Sequence, residues 1–381
     1  MENARIVGRY ALYEALGAGG AAAVHLGVDR TGGDAVAIKR LHDREVGRAA
    51  AITRLVDEVR VAKRIAHPNV VRVVELVSDG EEMLAVMEYI HGEALSKLLR
   101  EGPRVSPSIA CAVLVDVLRG LHAAHEATDD ARKPLALVHR DVTPENVLVG
   151  ADGRARITDF GVAKAEGRLN VTRDGGIKGK IAYLAPEQVG GEVSPRTDVY
   201  AAGLVLWEVL VGERPIQGET EAEMVGKVIA PSIAPPTTRG AASTPELDAV
   251  VMRALSVEAS ARWPDAAAFA DAIAAAHPLA TSAEIGAWVR SVAGERLARR
   301  ERILASARPR SRLRAAGIGV AAAVAAVIVL GWYAASTRAA ARADSTATTT
   351  ATPTATATPT ATATPTATAT PTAIVSASGD V

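Results

Sequence analysis

Two short stretches of the chain carry carboxylates and an amide that could bind a metal ion. The first reads HRDVTPENVLV, from His139 to Val149, and contains Asp141 and Asn146. The second reads ITDFG and contains Asp159. Carboxylate and amide oxygens are hard ligands that suit Mg²⁺, and a carboxylate beside them could accept a proton from a hydroxyl group. These stretches therefore indicate chemistry at a hard divalent metal ion.

A glycine-rich break near the N-terminus could bring backbone N–H groups close to phosphate oxygens. The stretch LGAGGAAAVHLG begins at Leu16 and places Gly17 and Gly19 between two strand-like runs, followed by Val24. Glycine lacks a Cβ atom and so lets the backbone approach a ligand closely. Such hairpins are common, and Ala22 stands where the third glycine of G-x-G-x-x-G would be, so this motif alone is weak.

A cation at the end of the next strand-like run, VAIK, has a candidate partner on the helix that follows. The helix is predicted from apolar residues spaced three and four apart: Ile52, Leu55, Val56, Val59 and Ala62. At about 100° per residue, Glu58 flanks this apolar face whereas Asp57 points roughly opposite to it. Glu58 is therefore the predicted partner of Lys39.

Taken in order, these motifs resemble those of bacterial Hanks-type serine/threonine protein kinases over roughly residues 10 to 275. The similarity extends to MEYI, APE and DVYAAG, and to Arg262 as a partner for Glu187 of APE. It implies an α+β, bilobal fold with a small β-rich lobe followed by a larger helical lobe. It also implies ATP as cosubstrate, Mg²⁺ or Mn²⁺ as metal, protein hydroxyls as acceptors, and autophosphorylation.

The resemblance assigns a role to each matching residue. Asp141 would orient the acceptor hydroxyl, Asn146 and Asp159 would hold the metal, and Lys39, paired with Glu58, would hold the phosphates. Met87 would border the adenine site, with backbone groups of the following residues bonding the adenine edge. The nucleotide-binding set is Gly17, Gly19, Val24, Ala37, Lys39, Glu88, Ile90 and Leu148.

One position departs from the family pattern. Serine/threonine kinases usually carry Lys two residues after the catalytic Asp, but this chain has Thr143 there. The segment before APE, usually G-T-x-x-Y, reads GKIAY, so Lys180 stands where Thr is expected. We hypothesise that the two residue types are exchanged and that Lys180 supplies the ammonium group near the transferring phosphate. The alternative is a solvent-facing Lys180 with no replacement cation.

The segment between DFG and APE has one good candidate for regulatory phosphorylation. Its hydroxyl side chains are Thr172 and Tyr183, and Tyr183 resembles a packed position of the substrate-binding loop. Arg140 could pair with a phosphate on Thr172 and order the loop. The alternative is that Thr172 is an ordinary loop residue and the enzyme is constitutively active.

The C-terminal quarter predicts a membrane anchor. Four parts are expected: a kinase domain over 7–278, a basic juxtamembrane helix or linker over 279–314, a transmembrane helix over 315–335 and a disordered Thr/Ala/Pro-rich tail over 336–381. The run 315–335 has no charge and follows an arginine cluster, so the positive-inside rule predicts a single-pass inner-membrane protein with a cytoplasmic kinase domain. A buried Ala-rich helix is the alternative. Small residues at Ala315, Gly319 and Ala323 are compatible with a homodimer.

Composition limits the classes of protein to which this chain can belong. Lys plus Arg equal Asp plus Glu at 43 each, which argues against a nucleic-acid binder, since such proteins need a basic surface. Cys111 is the single cysteine, which excludes an internal disulfide. Two rivals remain: a nucleotide-binding pseudokinase that acts as a membrane-anchored scaffold, and a small-molecule kinase of related fold. The long segment before APE favours protein substrates, and the catalytic loop lacks the Arg after the catalytic Asp that is usual in tyrosine kinases.

Overall fold

The computed structural model describes residues 4–18, 22–41, 48–80, 82–160 and 177–307. These residues belong to one compact unit, 1–312, and the second unit, 313–381, lies outside the described ranges. Gly19, Thr172, the predicted span and the predicted tail also lie outside them. The described part forms two lobes, as predicted.

The smaller lobe is built on a six-stranded antiparallel sheet with strand order β1-β2-β3-β4-β6-β5. Its strands are Arg5–Val7 (β1), Tyr10–Ala18 (β2), Ala22–Asp29 (β3), Ala35–Leu41 (β4), Val73–Asp79 (β5) and Glu82–Glu88 (β6). In the register, Gly17 faces Val24 and Val24 faces Lys39. Directly paired residues point to the same side of a sheet, so the predicted nucleotide-contacting residues of these three strands share one face.

The predicted helix is confirmed as Arg48–Ala62 (α1). Leu55 and Val59 are buried, together with Ala85 of β6. This packing turns the adjacent Glu58 toward the sheet, where it meets Lys39. Asp57 is about half exposed and pairs with Arg60 of its own helix. The apolar face of α1 therefore selects which of the two neighbouring carboxylates enters the site, as predicted.

The larger lobe is mostly helical. Its helices are Leu95–Glu101 (α2), Pro107–His125 (α3), Ile177–Ile181 (α4), Pro186–Val189 (α5), Pro195–Val211 (α6), Glu221–Ile229 (α7), Pro245–Ala254 (α8), Ala266–Ala276 (α9) and Ser282–Ala307 (α10). Gly92–Ala94 (β7), Val147–Gly150 (β8) and Ala155–Ile157 (β9) form a three-stranded sheet. Strands β8 and β9 pair as an antiparallel hairpin whose turn contains Asp152 and Gly153.

Local signals explain where the two central helices begin and end. Ser106 caps α3 by accepting a hydrogen bond from the Ile109 N–H, and Pro107 occupies the first turn, a position that proline tolerates well. Helix α6 ends where Gly212 adopts a left-handed φ of 84°, a conformation that favours glycine. Most residues of α6 are buried, which is typical of a helix that crosses a core.

Within the described ranges, α3 is the one helix whose length and apolarity would suit a membrane span. More than half of its apolar stretch is buried inside the larger lobe, where it packs against α6 and α9. These contacts identify α3 as a core helix of the larger lobe. The predicted span over 315–335 lies outside the described residues and stays a prediction.

Candidate active site

Lys39 joins three elements at the interface between the two lobes. Its Nζ lies 2.8 Å from Oε1 of Glu58 on α1 and 2.9 Å from Oδ1 of Asp159, which follows β9. The Lys39 side chain is 14 % exposed, so little water competes for the ammonium group. The predicted pair of Lys39 and Glu58 is present, and Asp159 joins it from the other lobe.

The charges of this triad depend on one another. Burial alone would lower the pKa of Lys39, but the carboxylates of Asp159 and Glu58 hold it above its ordinary value. Burial would raise the pKa of Asp159, and the Lys39 ammonium keeps it below the usual range. Burial raises the pKa of Glu58 to about 7, a rise that Lys39 opposes and the nearby Asp159 charge reinforces. Near neutral pH, Asp159 is therefore the firmly ionised carboxylate of the pair.

A buried aspartate from the DVYAAG motif shapes the catalytic loop. Asp198 of α6 accepts hydrogen bonds from the backbone N–H groups of His139 at 2.7 Å and Arg140 at 2.8 Å. It also lies 2.8 Å from Nε2 of His125. Arg140 has a left-handed φ of 64°, which costs a non-glycine residue about 1–2 kcal/mol. The bonds to Asp198 offset that strain and present the next residue, Asp141, to the site.

His139 fixes the loop from the opposite side. Its Nε2 lies 3.0 Å from the carbonyl oxygen of Thr158, and its Nδ1 accepts the backbone N–H of Asp141 at 3.2 Å. Burial lowers the pKa of His139, which keeps the ring neutral, with one nitrogen donating and the other accepting. The histidine thus connects the segment before Asp159 to the catalytic loop.

Asp141, Asn146 and Lys180 form a second polar group. Nδ2 of Asn146 donates to the Asp141 carbonyl oxygen at 2.7 Å and to its Oδ2 at 3.1 Å. Nζ of Lys180, on α4, lies 2.7 Å from the same Oδ2. Thr143 is buried, and its hydroxyl group carries no charge. The lysine of GKIAY therefore stands directly beside the predicted catalytic carboxylate.

An apolar cluster lies between the sheet of the smaller lobe and β8. Its members come from both lobes and form one cluster: Leu16, Val24, Ala37, Val71, Val73, Met87, Ile90 and Leu148. Four of the predicted nucleotide contacts, Val24, Ala37, Ile90 and Leu148, are thus brought together. The sequence prediction missed Leu16, although it directly precedes the first glycine of the glycine-rich motif.

Two other predicted nucleotide contacts, Glu88 and Gly17, are not members of this cluster. The N–H of Glu88 donates to the Arg72 carbonyl oxygen and its carboxylate accepts the Arg72 N–H, so any contact with a ligand would use other backbone groups. A Cβ atom at Gly17 would meet nothing within 4 Å. Gly17 therefore borders open space on the face that also carries Val24 and Lys39.

Lys97 of α2 is a further residue that the sequence prediction missed. Its Nζ donates to the carbonyl oxygen of Leu16 at 2.7 Å and lies 3.3 Å from Oε1 of Glu93. The contact ties the larger lobe to the strand that enters the glycine-rich motif. No sequence signal marks it, because the acceptor is a backbone oxygen about 80 residues away.

The predicted pair of Glu187 and Arg262 is also present. The guanidinium group binds the carboxylate through two contacts of 2.7 and 2.8 Å, and Arg262 is almost completely buried. A forked pair of this kind is strong because two parallel hydrogen bonds share the charge. It holds APE against the loop before α9 and so anchors one end of the segment that contains Lys180.

The donor set suits Mg²⁺ held jointly by the protein and by phosphate. Asp159 is ionised beside Lys39, and the Asn146 amide nitrogen is bound to Asp141, which leaves the amide oxygen as its ligand atom. In the described ranges, no group of three or more His, Cys, Asp or Glu side chains could hold a metal ion alone. Magnesium commonly takes one or two protein ligands and completes its shell with phosphate and water.

Comparison with known proteins gives a match over most of this unit. The model of the protein kinase domain family matches residues 10–269. The tyrosine-protein kinase MasK of Myxococcus xanthus is 38 % identical over 275 residues, which cover 70 % of this chain and 42 % of MasK. The serine/threonine-protein kinase PknL of Mycobacterium tuberculosis is 34 % identical over 282 residues, 74 % of this chain and 69 % of PknL. The chain thus spans less than half of MasK.

The fold also matches a solved structure. The crystal structure of the Mycobacterium tuberculosis PknI kinase domain aligns with a TM-score of 0.54 and 22 % sequence identity, covering 73 % of this chain and 99 % of that domain. At this identity the likeness concerns the fold alone. It agrees with the β-rich small lobe and the helical large lobe described above.

Proposed function

We propose, because this chain belongs to the protein kinase family, that it transfers the γ-phosphate of ATP to serine and threonine hydroxyl groups of proteins. The observation that carries the proposal is Lys39, which contacts Glu58 and Asp159 from opposite lobes at 2.8 and 2.9 Å. A triad of this kind assembles when the lobes are aligned for phosphate binding. The apolar cluster beside it would receive the adenine ring.

The reaction would take place at Asp141. The acceptor hydroxyl oxygen would bond to the γ-phosphorus, the bond from that phosphorus to the leaving oxygen of ADP would break, and the hydroxyl proton would pass to the Asp141 carboxylate. Lys39 would orient the α- and β-phosphates. Mg²⁺, when bound to Asn146 and Asp159, would neutralise charge on the phosphates.

We also propose that Lys180 replaces the cation missing at Thr143. The 2.7 Å contact between Lys180 Nζ and Asp141 Oδ2 supports this proposal, since a cation beside the catalytic carboxylate is also beside the incoming phosphate. The Lys180 side chain is 59 % exposed, so its flexible stem could pivot from the carboxylate to a phosphate oxygen. Single-turnover rates of Lys180→Met and Thr143→Ala test the exchange, which fails if both variants lose equally little.

The acceptor residue is part of the proposal. PknL is named a serine/threonine kinase and MasK a tyrosine kinase, and the two are similarly related to this chain. Serine and threonine are favoured because DVTPEN lacks the Arg after the catalytic Asp that is usual in tyrosine kinases. Phosphoamino-acid analysis of the autophosphorylated chain decides the matter, and phosphotyrosine as the main product would overturn this part.

The activity itself is tested with the full chain in detergent, radiolabelled ATP, Mg²⁺ and a generic protein acceptor. Asp141→Asn is the matched control, because it keeps the size of the side chain and removes the proton acceptor. We expect incorporation by the wild type and none above background by the variant. A wild type that binds nucleotide without transferring phosphate would instead identify a pseudokinase scaffold.

Thr172 is our proposed regulatory phosphorylation site, with Arg140 as the phosphate partner. The proposal rests on the position of Arg140 beside Asp141 and on Thr172 being a hydroxyl residue of the intervening segment. Mass spectrometry before and after incubation with ATP, together with the activity of Thr172→Ala, tests it. Full activity of a chain shown to be unmodified at Thr172 would contradict it.

Finally, we propose that residues 315–335 anchor the chain in the inner membrane with the kinase domain in the cytoplasm. Support comes from the uncharged run and from the arginine cluster before it. Alkaline carbonate extraction of cell membranes should leave the wild type in the pellet. Ala325→Arg, which places a charge in the middle of the run, should weaken retention. Release of the wild type by carbonate would contradict the anchor.

A further inference from the structure

Helix α10 lies against the kinase unit instead of extending away from it. Its buried residues form one stripe along 26 residues: Ile285, Gly286, Trp288, Val289, Ala293, Leu297, Arg300 and Ile303. Near its start, Nη1 of Arg290 donates to the Ala151 carbonyl oxygen at 2.7 Å, and a Cβ atom at Gly286 would lie 2.5 Å from that oxygen. This end of α10 is therefore seated closely on the hairpin of β8 and β9.

The other end of α10 carries arginines that meet acidic residues of the larger lobe. Arg296 Nε and Arg300 Nη2 both bind Oε2 of Glu93, at 3.0 and 3.1 Å. Arg296 also binds Glu101 at 2.5 Å. Arg300 Nη1 donates to the carbonyl oxygen of Gly92 at 2.9 Å, directly after the segment that joins the lobes. These contacts fix α10 to the connection between the two lobes.

The same stretch of α10 also reaches the smaller lobe. Arg299 Nε lies 2.7 Å from Glu14 on β2, and Arg300 Nε lies 3.8 Å from the other oxygen of the same carboxylate. Arg300 and Glu93 are each only 5 % exposed. Arg300 is thus a buried cation between a carboxylate of each lobe, and its removal would take one shared partner from both Glu14 and Glu93.

A continuous set of polar contacts leads from α10 to the glycine-rich motif. Glu93 accepts from Arg296 and Arg300 through Oε2, and its Oε1 lies 3.3 Å from Lys97. Lys97 in turn donates to the carbonyl oxygen of Leu16 at 2.7 Å. Leu16 belongs to the apolar cluster between the lobes and precedes Gly17. A chain of contacts that starts at α10 therefore ends on β2, beside this cluster.

We propose that α10 is an interlobe clamp and that Arg300 is a positioning residue for nucleotide binding, acting through Glu93 and Lys97 on strand β2. This inference rests on the proposed kinase function only in its second part, the effect on nucleotide affinity. The first part concerns the order of β2 and is independent of catalysis. With the clamp intact, β2 stays over the apolar cluster. Without Arg300, β2 and the two lobes move more freely.

The test uses the full chain in detergent and compares Arg300→Ala, Lys97→Met and Arg302→Ala. Arg302 lies on the exposed side of the same helix, so its variant removes the same charge without touching the clamp. Lys97→Met breaks the last step of the network at a partly exposed position, where misfolding is less of a concern. Hydrogen–deuterium exchange of a peptide covering 11–18 is measured without nucleotide, and the Kd of a fluorescent ATP analogue is measured separately.

We expect Arg300→Ala and Lys97→Met to speed exchange in the β2 peptide and to raise the Kd about tenfold, within the usual range of coupling between sites. Arg302→Ala should match the wild type in both. Unchanged exchange in both clamp variants, or equal changes in all three, would overturn the clamp. If the two clamp variants exchange faster than the wild type but the wild type itself binds no nucleotide, the clamp is supported and the proposed kinase function is refuted.

Discussion

Two lysine–carboxylate contacts of nearly equal length define the candidate site, and their surroundings differ. Lys39 lies 2.8 Å from Glu58 with a side chain that is 14 % exposed. Lys180 lies 2.7 Å from Asp141, and its side chain is 59 % exposed although that of Asp141 is only 9 % exposed. Charges attract more strongly where water is excluded, and water reaches the Lys180 ammonium far more than that of Lys39. Distance alone therefore does not tell what a contact does.

The pair of Lys39 and Glu58 holds elements of the fold together, whereas the pair of Lys180 and Asp141 can rearrange. Glu58 and Asp159 come from different lobes, so Lys39 aligns α1, β4 and the DFG segment at the same time. Lys180 contacts one carboxylate, that of Asp141, and its own side chain is largely solvated. The first lysine should be required for both the fold and the chemistry of the site, and the second for the chemistry alone.

The largest effect is expected from Lys39→Met. The substitution leaves Glu58 and Asp159 as neighbouring carboxylates without a cation between them, and it removes the group that would orient the phosphates. We expect a loss of activity of about 10³-fold or more and a lower midpoint of thermal unfolding. Phosphate transfer and differential scanning calorimetry measure the two effects. A variant with near-normal activity would show that Lys39 is not the phosphate-binding lysine.

An intermediate effect is expected from Lys180→Met. Loss of one charge beside the transferring phosphate should lower the rate of phosphate transfer by about 10²-fold. The unfolding midpoint should fall less than that of Lys39→Met, because the Lys180 ammonium is largely solvated and contacts one carboxylate instead of two. Thr143→Ala serves as the control and should lose less than about threefold in rate, as it carries no charge. A large drop in the stability of Lys180→Met would make the two pairs alike and break the comparison.

The smallest expected effect is a pH dependence of the free energy of unfolding, which comes from Glu58. The pKa of Glu58 in the folded chain is raised to about 7, so the folded state holds a proton there that the unfolded chain releases at lower pH. The stabilisation from this proton is present in acid and is lost as the pH rises from about 5 to about 7. Unfolding by urea should therefore show Glu58→Gln gaining stability relative to the wild type across this window. A difference between wild type and Glu58→Gln that stays constant over the window would contradict the raised pKa of Glu58.

Much of the site could be predicted from the sequence because each motif carries a local signal. The 3.6-residue period of α1 distinguished Glu58 from Asp57, and GKIAY in place of G-T-x-x-Y drew attention to Lys180. The structure brings Lys39 to Glu58 and Lys180 to Asp141, as these interpretations require. The roles of the residues in binding and catalysis remain proposals.

The contacts that the sequence did not reveal use backbone oxygens or distant partners. Lys97 binds the carbonyl oxygen of Leu16, and any residue type could supply that oxygen. The carboxylate of Glu88 accepts the backbone N–H of Arg72. The adenine contacts predicted for MEYI did not suggest this bond. Such contacts leave no pattern of side-chain types along the chain.

The sequence by itself determined the two-lobed fold, the order of its motifs and the carboxylates of the site, because hydrophobic periods and short motifs act over a few residues. Only the tertiary structure decided that the arginine-rich helix α10 lies across both lobes. Its acidic partners, Glu14, Glu93 and Glu101, are about 200 to 285 residues away along the chain. Charges at such separations meet only after the core has folded, since apolar burial and not their own attraction brings those surfaces together.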